Sequence, residues 1–254
     1  MISKYGVRAI VSSDWHLDAV TAGEERFADV TRAADQVANY AIESDRGDSR
    51  SLFVFAGDLT NPDPPRCWRA VEYAAQLSRR LEYHGIPSIW IAGNHDVLED
   101  GYGSHSLMPI DTRLPQDAGA HGVVVAMPKL VFPFSYSTSR TRGPGILCFP
   151  YVPRSHAYVP TDVIARYVDE EPTLIVGHLM LEGISVGSET NDFARGRDLF
   201  LPIEGLRKTW PDVPIVNGHY HEGQLYKSIH IPGSIARLTL GEANNSPRFL
   251  EIAL

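Results

Sequence analysis

Five short segments carry most of the residue types able to bind a metal ion or move a proton: Asp14-Trp15-His16, Gly57-Asp58, Gly93-Asn94-His95-Asp96, Gly177-His178 and Gly218-His219-Tyr220-His221. Taken singly each is weak, because D-x-H arises by chance and a Gly-His pair is more often a turn with a hydrogen-bonded imidazole. Jointly they place five of the ten histidines, with aspartates and an asparagine, directly after strand-like runs, and one shared site explains every placement at once. Carboxylate and amide oxygens mixed with imidazole nitrogens suit Mn²⁺, Fe or Zn²⁺ better than Ca²⁺ or Cu(I).

The elements that must position these residues are legible as periodicities. Val7 to Ser12, Leu52 to Ala56, Ser88 to Ala92 and Thr173 to Val176 are short β-branched or aromatic runs, as expected of buried strands. Phe27, Val30, Ala34, Val37 and Ala41 recur at helical spacing between the first two runs, and Trp68, Val71, Ala75 and Leu81 do so between the next two. A β-α-β-α-β opening favours parallel strands whose carboxyl ends share one edge, where the polar segments gather. From Gly122 onward, the candidates Gly122 to Ala126, Leu130 to Phe134 and Ile146 to Phe149, broken by Pro128, Pro133 and Gly143-Pro144-Gly145, predict a hairpin-rich second sheet. Short helices are expected at Asp162 to Val168 and Ile203 to Thr209, and strands from Gly223 to Leu254, the last closing the second sheet.

With 254 residues, 43% hydrophobic and 21% charged, the chain can bury a sizeable core, which excludes wholesale disorder. A net charge of −8 argues against a nonspecific nucleic-acid coat. Cys67 and Cys148 stand far apart, so no disulfide framework or cysteine zinc site is expected and both read as core thiols. No apolar stretch resembles a signal peptide or a membrane span, so the expectation is a soluble, cytoplasmic protein forming one domain over residues 1–254.

The order D-x-H, G-D, G-N-H-D, G-H, G-H-x-H resembles the calcineurin-like metallophosphoesterase superfamily. That resemblance implies an α/β fold, an αββα sandwich of two mixed β-sheets flanked by helices. It also implies two divalent metals, with Asp14, His16 and His221 on the first, Asn94, His178 and His219 on the second, and Asp58 bridging both. Mn²⁺ is the preferred ion, with Fe, Zn²⁺ and Mg²⁺ as alternatives. Two such ions about 3.5–4 Å apart can activate water and hold both reacting oxygens of a phosphoryl centre. His95, next to Asn94, is expected to act as general acid or transition-state stabiliser, with Asp96 as a second catalytic residue orienting it. The competing reading makes Asp96 a helix-start cap or turn former.

The segment Ile231-Pro232-Gly233-Ser234-Ile235-Ala236-Arg237-Leu238-Thr239-Leu240-Gly241-Glu242 resembles the P-G-S-x-x-R-x-x-x-G-E stretch of the SbcD/Mre-eleven family of DNA repair nucleases. Phe149-Pro150-Tyr151 resembles that family's l-P-Y segment. The implied activity is a DNA nuclease; since little sequence follows Glu242 to encode a capping or docking segment, single-stranded or frayed DNA is the expected substrate and a coiled-coil ATPase partner is possible but not required. A phosphatase or cyclic-nucleotide phosphodiesterase is the rival enzyme, and a metal-free scaffold the rival outside enzymes. Gly57-Asp58-Leu59-Thr60-Asn61 departs from the nucleases, which often carry His or Asp near Asn61. Arg237 and Glu242 are expected to form an internal ion pair. Trp15 reads as packing, and Arg140, Arg142, Arg195 and Arg197 as solvated loop residues with a lesser prospect of touching DNA. His84, His105, His121, His156 and His230 read as surface or satisfied histidines.

Overall fold

Alternate residues of the opening strand, β1 (Val7–Ser12), face two different cores: Val7, Ala9 and Val11 join one apolar cluster and Ile10 another. The same division recurs in β2 (Arg50–Phe55), where Leu52 and Val54 oppose Phe53 and Phe55, and in β3 (Ser88–Ile91), where Ile89 and Ile91 oppose Trp90. A sheet apolar on both faces must be covered on both, and it is. The computed structural model describes residues 5–47, 49–61, 68–97, 105–110, 121–134, 143–152, 157–184 and 199–254.

One face is covered by α1 (Phe27–Ser44) and α2 (Trp68–Tyr83). Their inward positions are rich in alanine (Ala34, Ala38 and Ala41 on α1; Ala70, Ala74 and Ala75 on α2), so both helices lie close to the sheet and to each other. Trp68, counted above as part of the apolar stripe, is instead 77% exposed at the first position of α2. Trp15 sits wholly within this core, edge-on to Phe53, Phe55 and Trp90, with its indole N–H donated to Ser12 Oγ at 2.8 Å. Packing, the reading favoured from sequence, is what the structure shows.

The other face meets a second sheet. β4 (Gly122–Val125), β5 (Lys129–Val131), β6 (Ile146–Phe149), β7 (Leu174–Gly177), β8 (Ile215–Asn217), β9 (Gln224–Tyr226), β10 (Ile229–Ile231) and β11 (Leu250–Ala253) complete the set of longer strands. The first sheet runs β11-β1-β2-β3-β4 and the second β9-β10-β8-β7-β6-β5. Val131, Ile146, Cys148, Leu174, Val176 and Val216 of the second sheet pack on the first. Burial there pushes the Cys148 thiol up to about 12, as expected of an inert core cysteine; Cys67 lies outside the described residues. The outer face of the second sheet, with Leu147, Phe149, Ile175 and Ile215, is covered by α3 (Pro160–Arg166) and α4 (Ile203–Thr209) through Val163, Ile164 and Leu206. The layers are therefore helix, sheet, sheet, helix.

Three expectations about strand pairing need correction. β4 belongs to the first sheet, parallel to β3 with Ile89 opposite Val123 and Ile91 opposite Val125, which puts Val125 in the intersheet core. β11 also joins the first sheet, antiparallel to β1, so that Leu250 and Ile252 turn toward the intersheet core while Glu251 accepts a hydrogen bond from Tyr40 Oη at 2.6 Å. The second sheet is parallel across β6, β7, β8 and β10, with antiparallel pairs only at its two edges. Local pattern cannot distinguish these arrangements, because the partner of a parallel strand lies a whole crossover away in sequence.

Among the described residues, no helix is long and apolar enough to cross a membrane.

Candidate metal centre

The five motifs follow β1, β2, β3, β7 and β8, the central parallel strands, and so converge at the carboxyl ends of both sheets. Their backbones are sewn together. Asp14 N–H donates to Gly57 O, and the N–H groups of Trp15 and His16 both donate to Asp58 O, at 2.9 to 3.1 Å. Among the described residues seven non-glycine positions have positive φ, and four belong to these motifs: Asp14 (53°), His16 (43°), Asp58 (63°) and His219 (77°). Such a conformation costs roughly 1–2 kcal/mol per residue, and its concentration at one place marks a site whose geometry outranks local comfort. The motif glycines are spatial necessities: a Cβ on Gly57, itself at φ 99°, would lie 2.2 Å from His178 Nδ1, and one on Gly93 2.1 Å from Asp58 Oδ1.

Side chains converge in two groups, Asp14-His16-His221 and Asp58-His178-His219, each with donor atoms within 4.8 Å of one another. Asn94 joins the second group, its Oδ1 lying 2.9 Å from His219 Nδ1 and 3.1 Å from His178 Nε2. Asp58 Oδ2 stands between the groups, 3.2 Å from His178 Nε2 and 3.7 Å from His16 Nε2. All seven residues expected from sequence are therefore in one place. His95 is at the rim, its ring 5.1 Å from that of His16 and its Nε2 3.8 Å from Asp58 Oδ2. Asp14, His16, Asp58 and His178 are buried, whereas Asn94, His95, His219 and His221 are part-exposed and form the open side.

A family model for the calcineurin-like phosphoesterases matches residues 7–223. The chain belongs to that family. Its α/β architecture of two mixed sheets flanked by helices is consistent with the family's fold. Among solved structures it is similar to the crystal structure of TT1561 of Thermus thermophilus, at 10% identity, 93% coverage of this chain, 92% coverage of that one and a TM-score of 0.47. No curated protein matches the chain.

Members of the calcineurin-like phosphoesterase family imply a pair of divalent ions, and the residues here fit them. Asp14 Oδ2 and His16 Nδ1 are buried without a hydrogen-bond partner. His178 Nδ1 donates to Ala56 O at 2.6 Å, which turns the lone pair of a neutral ring at Nε2 toward the oxygens of Asn94 and Asp58. Acceptors crowded face to face repel unless a cation or a proton lies among them. His16 and His221 likewise aim Nε2 at Nε2, 3.1 Å apart.

The same crowding displaces the titrations of the metal-free site. Burial opposes charge on Asp58, but the imidazoles of His178, His95 and His16 hold it well below the carboxylate range. Burial and the neighbouring charge of His178 depress His219 to about 3, and burial and His221 depress His16. His178 goes the other way: burial would lower it, yet the Asp58 carboxylate beside it raises it to about 9. A histidine raised from 6.5 to about 9 stabilises fully below pH 6.5 and loses that stabilisation as pH rises through 9. The depressed His16 and His219 exert their effects below 6.5. The metal-stripped protein is therefore expected to lose up to about 3 kcal/mol between pH 6.5 and 9. Thermal melts in excess chelator at pH 6.5, 8 and 9 measure this, and a constant Tm across them contradicts it.

Asp96 is fully buried and employed in holding loops together. Oδ2 accepts from the N–H groups of Asp58 and Gly93, and Oδ1 from Leu59 N–H and Ser106 Oγ, all within 2.9 Å. Of the two readings weighed from sequence, these are the contacts of the turn former. Burial, aided by Asp58, raises its carboxyl to about 6. The expected Arg237–Glu242 ion pair is not what forms: Arg237 donates to Asn245 O, and Glu242 turns inward to His221 Nδ1 at 3.0 Å. His121 is satisfied by Glu82 at 2.9 Å. Arg140, Arg142, Arg195, Arg197 and His156 lie outside the described residues.

Proposed function

We propose that this metal-dependent phosphoesterase is a DNA nuclease of the SbcD/Mre-eleven kind, cleaving phosphodiester bonds of single-stranded or frayed DNA. The observation supporting the reading is that the Ile231-to-Glu242 segment, which resembles those nucleases, is built into the centre. Ser234 pairs with Ser13 just before the first motif, Ser234 N–H donates to His221 O at 3.1 Å, and Glu242 supports the His221 ring.

In this reading Asp14, His16 and His221 hold one ion, Asn94, His178 and His219 the other, and Asp58 both; Mn²⁺ is the proposed ion. When bound, such a pair supplies Lewis acidity, activates water and neutralises charge on the phosphate. The open side formed by Asn94, His95, His219 and His221 receives the scissile phosphate. His95 Nε2, at the edge of that opening, donates a proton to the departing oxygen or steadies charge on the phosphoryl group. Asp96 keeps the Gly57 and Gly93 loops in register, which places the His95 backbone where its N–H donates to Asp58 Oδ1 at 3.0 Å.

The test is the purified chain alone, with Mn²⁺ and no ATP, on labelled single-stranded DNA, blunt duplex DNA, cyclic AMP and a phosphoprotein. Cleavage of DNA, fastest on the single strand, is the expected result. Hydrolysis of cyclic AMP or the phosphoprotein without DNA cleavage replaces the nuclease by a phosphatase or cyclic-nucleotide phosphodiesterase, and DNA cleavage only with an added ATPase and ATP overturns independent action.

A further inference from the structure

The histidines of the centre differ in what stands behind them. His178 rests its outer nitrogen on a backbone carbonyl, Ala56 O, at 2.6 Å, and His219 on a thioether, Met180 Sδ, at 3.0 Å. His221 rests its Nδ1 on the carboxylate of Glu242 at 3.0 Å. Among the described residues, no other histidine of the two groups has its outer nitrogen on a carboxylate.

Glu242 is itself held from several sides. It is 2% exposed, Leu238 N–H donates to Oε2 at 2.8 Å, and Thr239 Oγ1 donates to Oε1 at 3.1 Å. The same loop returns to His221, since Asn245 N–H donates to Glu242 O and Asn245 Nδ2 to His221 O. A buried carboxylate facing an imidazole fixes the tautomer: Nδ1 carries the hydrogen, and Nε2 presents its lone pair toward His16 Nε2 at 3.1 Å. It also makes the ring a stronger donor and fixes its plane.

We propose that Glu242 is a positioning residue that sets the affinity of the metal position formed by Asp14, His16 and His221, and leaves that of the Asp58-His178-His219 position nearly untouched. The inference rests on the dinuclear reading above and adds an asymmetry to it, because the two positions have differently supported ligands. It needs no DNA substrate.

Calorimetric titration of the stripped full-length chain with Mn²⁺, and metal occupancies from anomalous scattering at limiting Mn²⁺, test it. E242Q, nearly the same size, is expected to bind one ion about as wild type does and the other roughly 10–100-fold more weakly. Occupancy is expected to fall at Asp14-His16-His221, and His221 ring nitrogen shifts to show mixed tautomers. Activity lost by E242Q is expected to return at high Mn²⁺, which a merely misfolded loop would not allow. Wild-type affinities at both positions in folded E242Q, or equal weakening at both, overturn the positioning role while leaving the dinuclear centre standing. A wild-type chain that binds fewer than two ions overturns the centre itself. Should E242Q fail to fold, T239V carries the test, because it removes one bond to Glu242 and keeps the carboxylate. Several-fold weakening at the same position supports the proposal, and unchanged affinity there overturns it.

Discussion

Asp58→Asn is expected to empty both metal positions and abolish hydrolysis while leaving the fold intact. One oxygen of this side chain, Oδ2, approaches His178, His16 and His95 at 3.2, 3.7 and 3.8 Å, so it faces both groups at once. Asparagine is nearly isosteric and keeps an oxygen to accept the His95 N–H now bound by Oδ1 at 3.0 Å. The other oxygen becomes an NH₂ group, which directs hydrogens to the place where a cation would sit. A ligand lost outright should cost more than the ~10–100-fold typical of outer-sphere changes, so the expected loss is at least about 10²-fold at each position. Metal content by mass spectrometry after equilibration with Mn²⁺, alongside a circular dichroism melt, measures it. Retention of one ion at full occupancy would remove Asp58 from the bridging place.

His95→Ala separates catalysis from binding. His95 belongs to neither ligand group and sits part-exposed at the rim, with its ring against His16 and its backbone tied to Asp58. Its removal is expected to leave two ions bound and KM little changed, while kcat falls by ~10²–10⁴, the range for lost acid–base assistance. Steady-state kinetics with metal analysis on the same preparation gives both answers. A variant holding a single ion would make His95 a ligand.

How far the sequence reaches depends on what each feature is made of. Asp14, His16, Asp58, Asn94, His178, His219 and His221 are legible because metal chemistry admits few residue types and the parallel strands deliver each type just past a strand end. The structure gathers all seven in one place. β1 and α4 have the bounds that their apolar patterns suggest, and Trp15, flanked by Asp14 and His16 just past a strand end, packs into the core. Pairing across long separations is not legible. Leu250 and Ile252 alternate equally well on either sheet, and only the free edge of β1, with Tyr40 waiting for Glu251, decides their place. Glu242 misleads for a related reason. An acidic residue five positions after Arg237 suggests a local ion pair, whereas its partner His221 is brought to it by the fold from 21 positions away. The positive φ values at Asp14, His16, Asp58 and His219 leave no mark in residue type beyond the tolerance of Asp and His for that region.

The most direct test of a metal-dependent phosphoesterase built on these residues is hydrolysis of one phosphodiester substrate by the same preparation before chelation, in excess chelator, and after dialysis into Mn²⁺. Activity is expected to vanish in chelator and to return with Mn²⁺ as two ions bind per chain. Full activity persisting in excess chelator, with no metal detectable in the protein, would contradict the account.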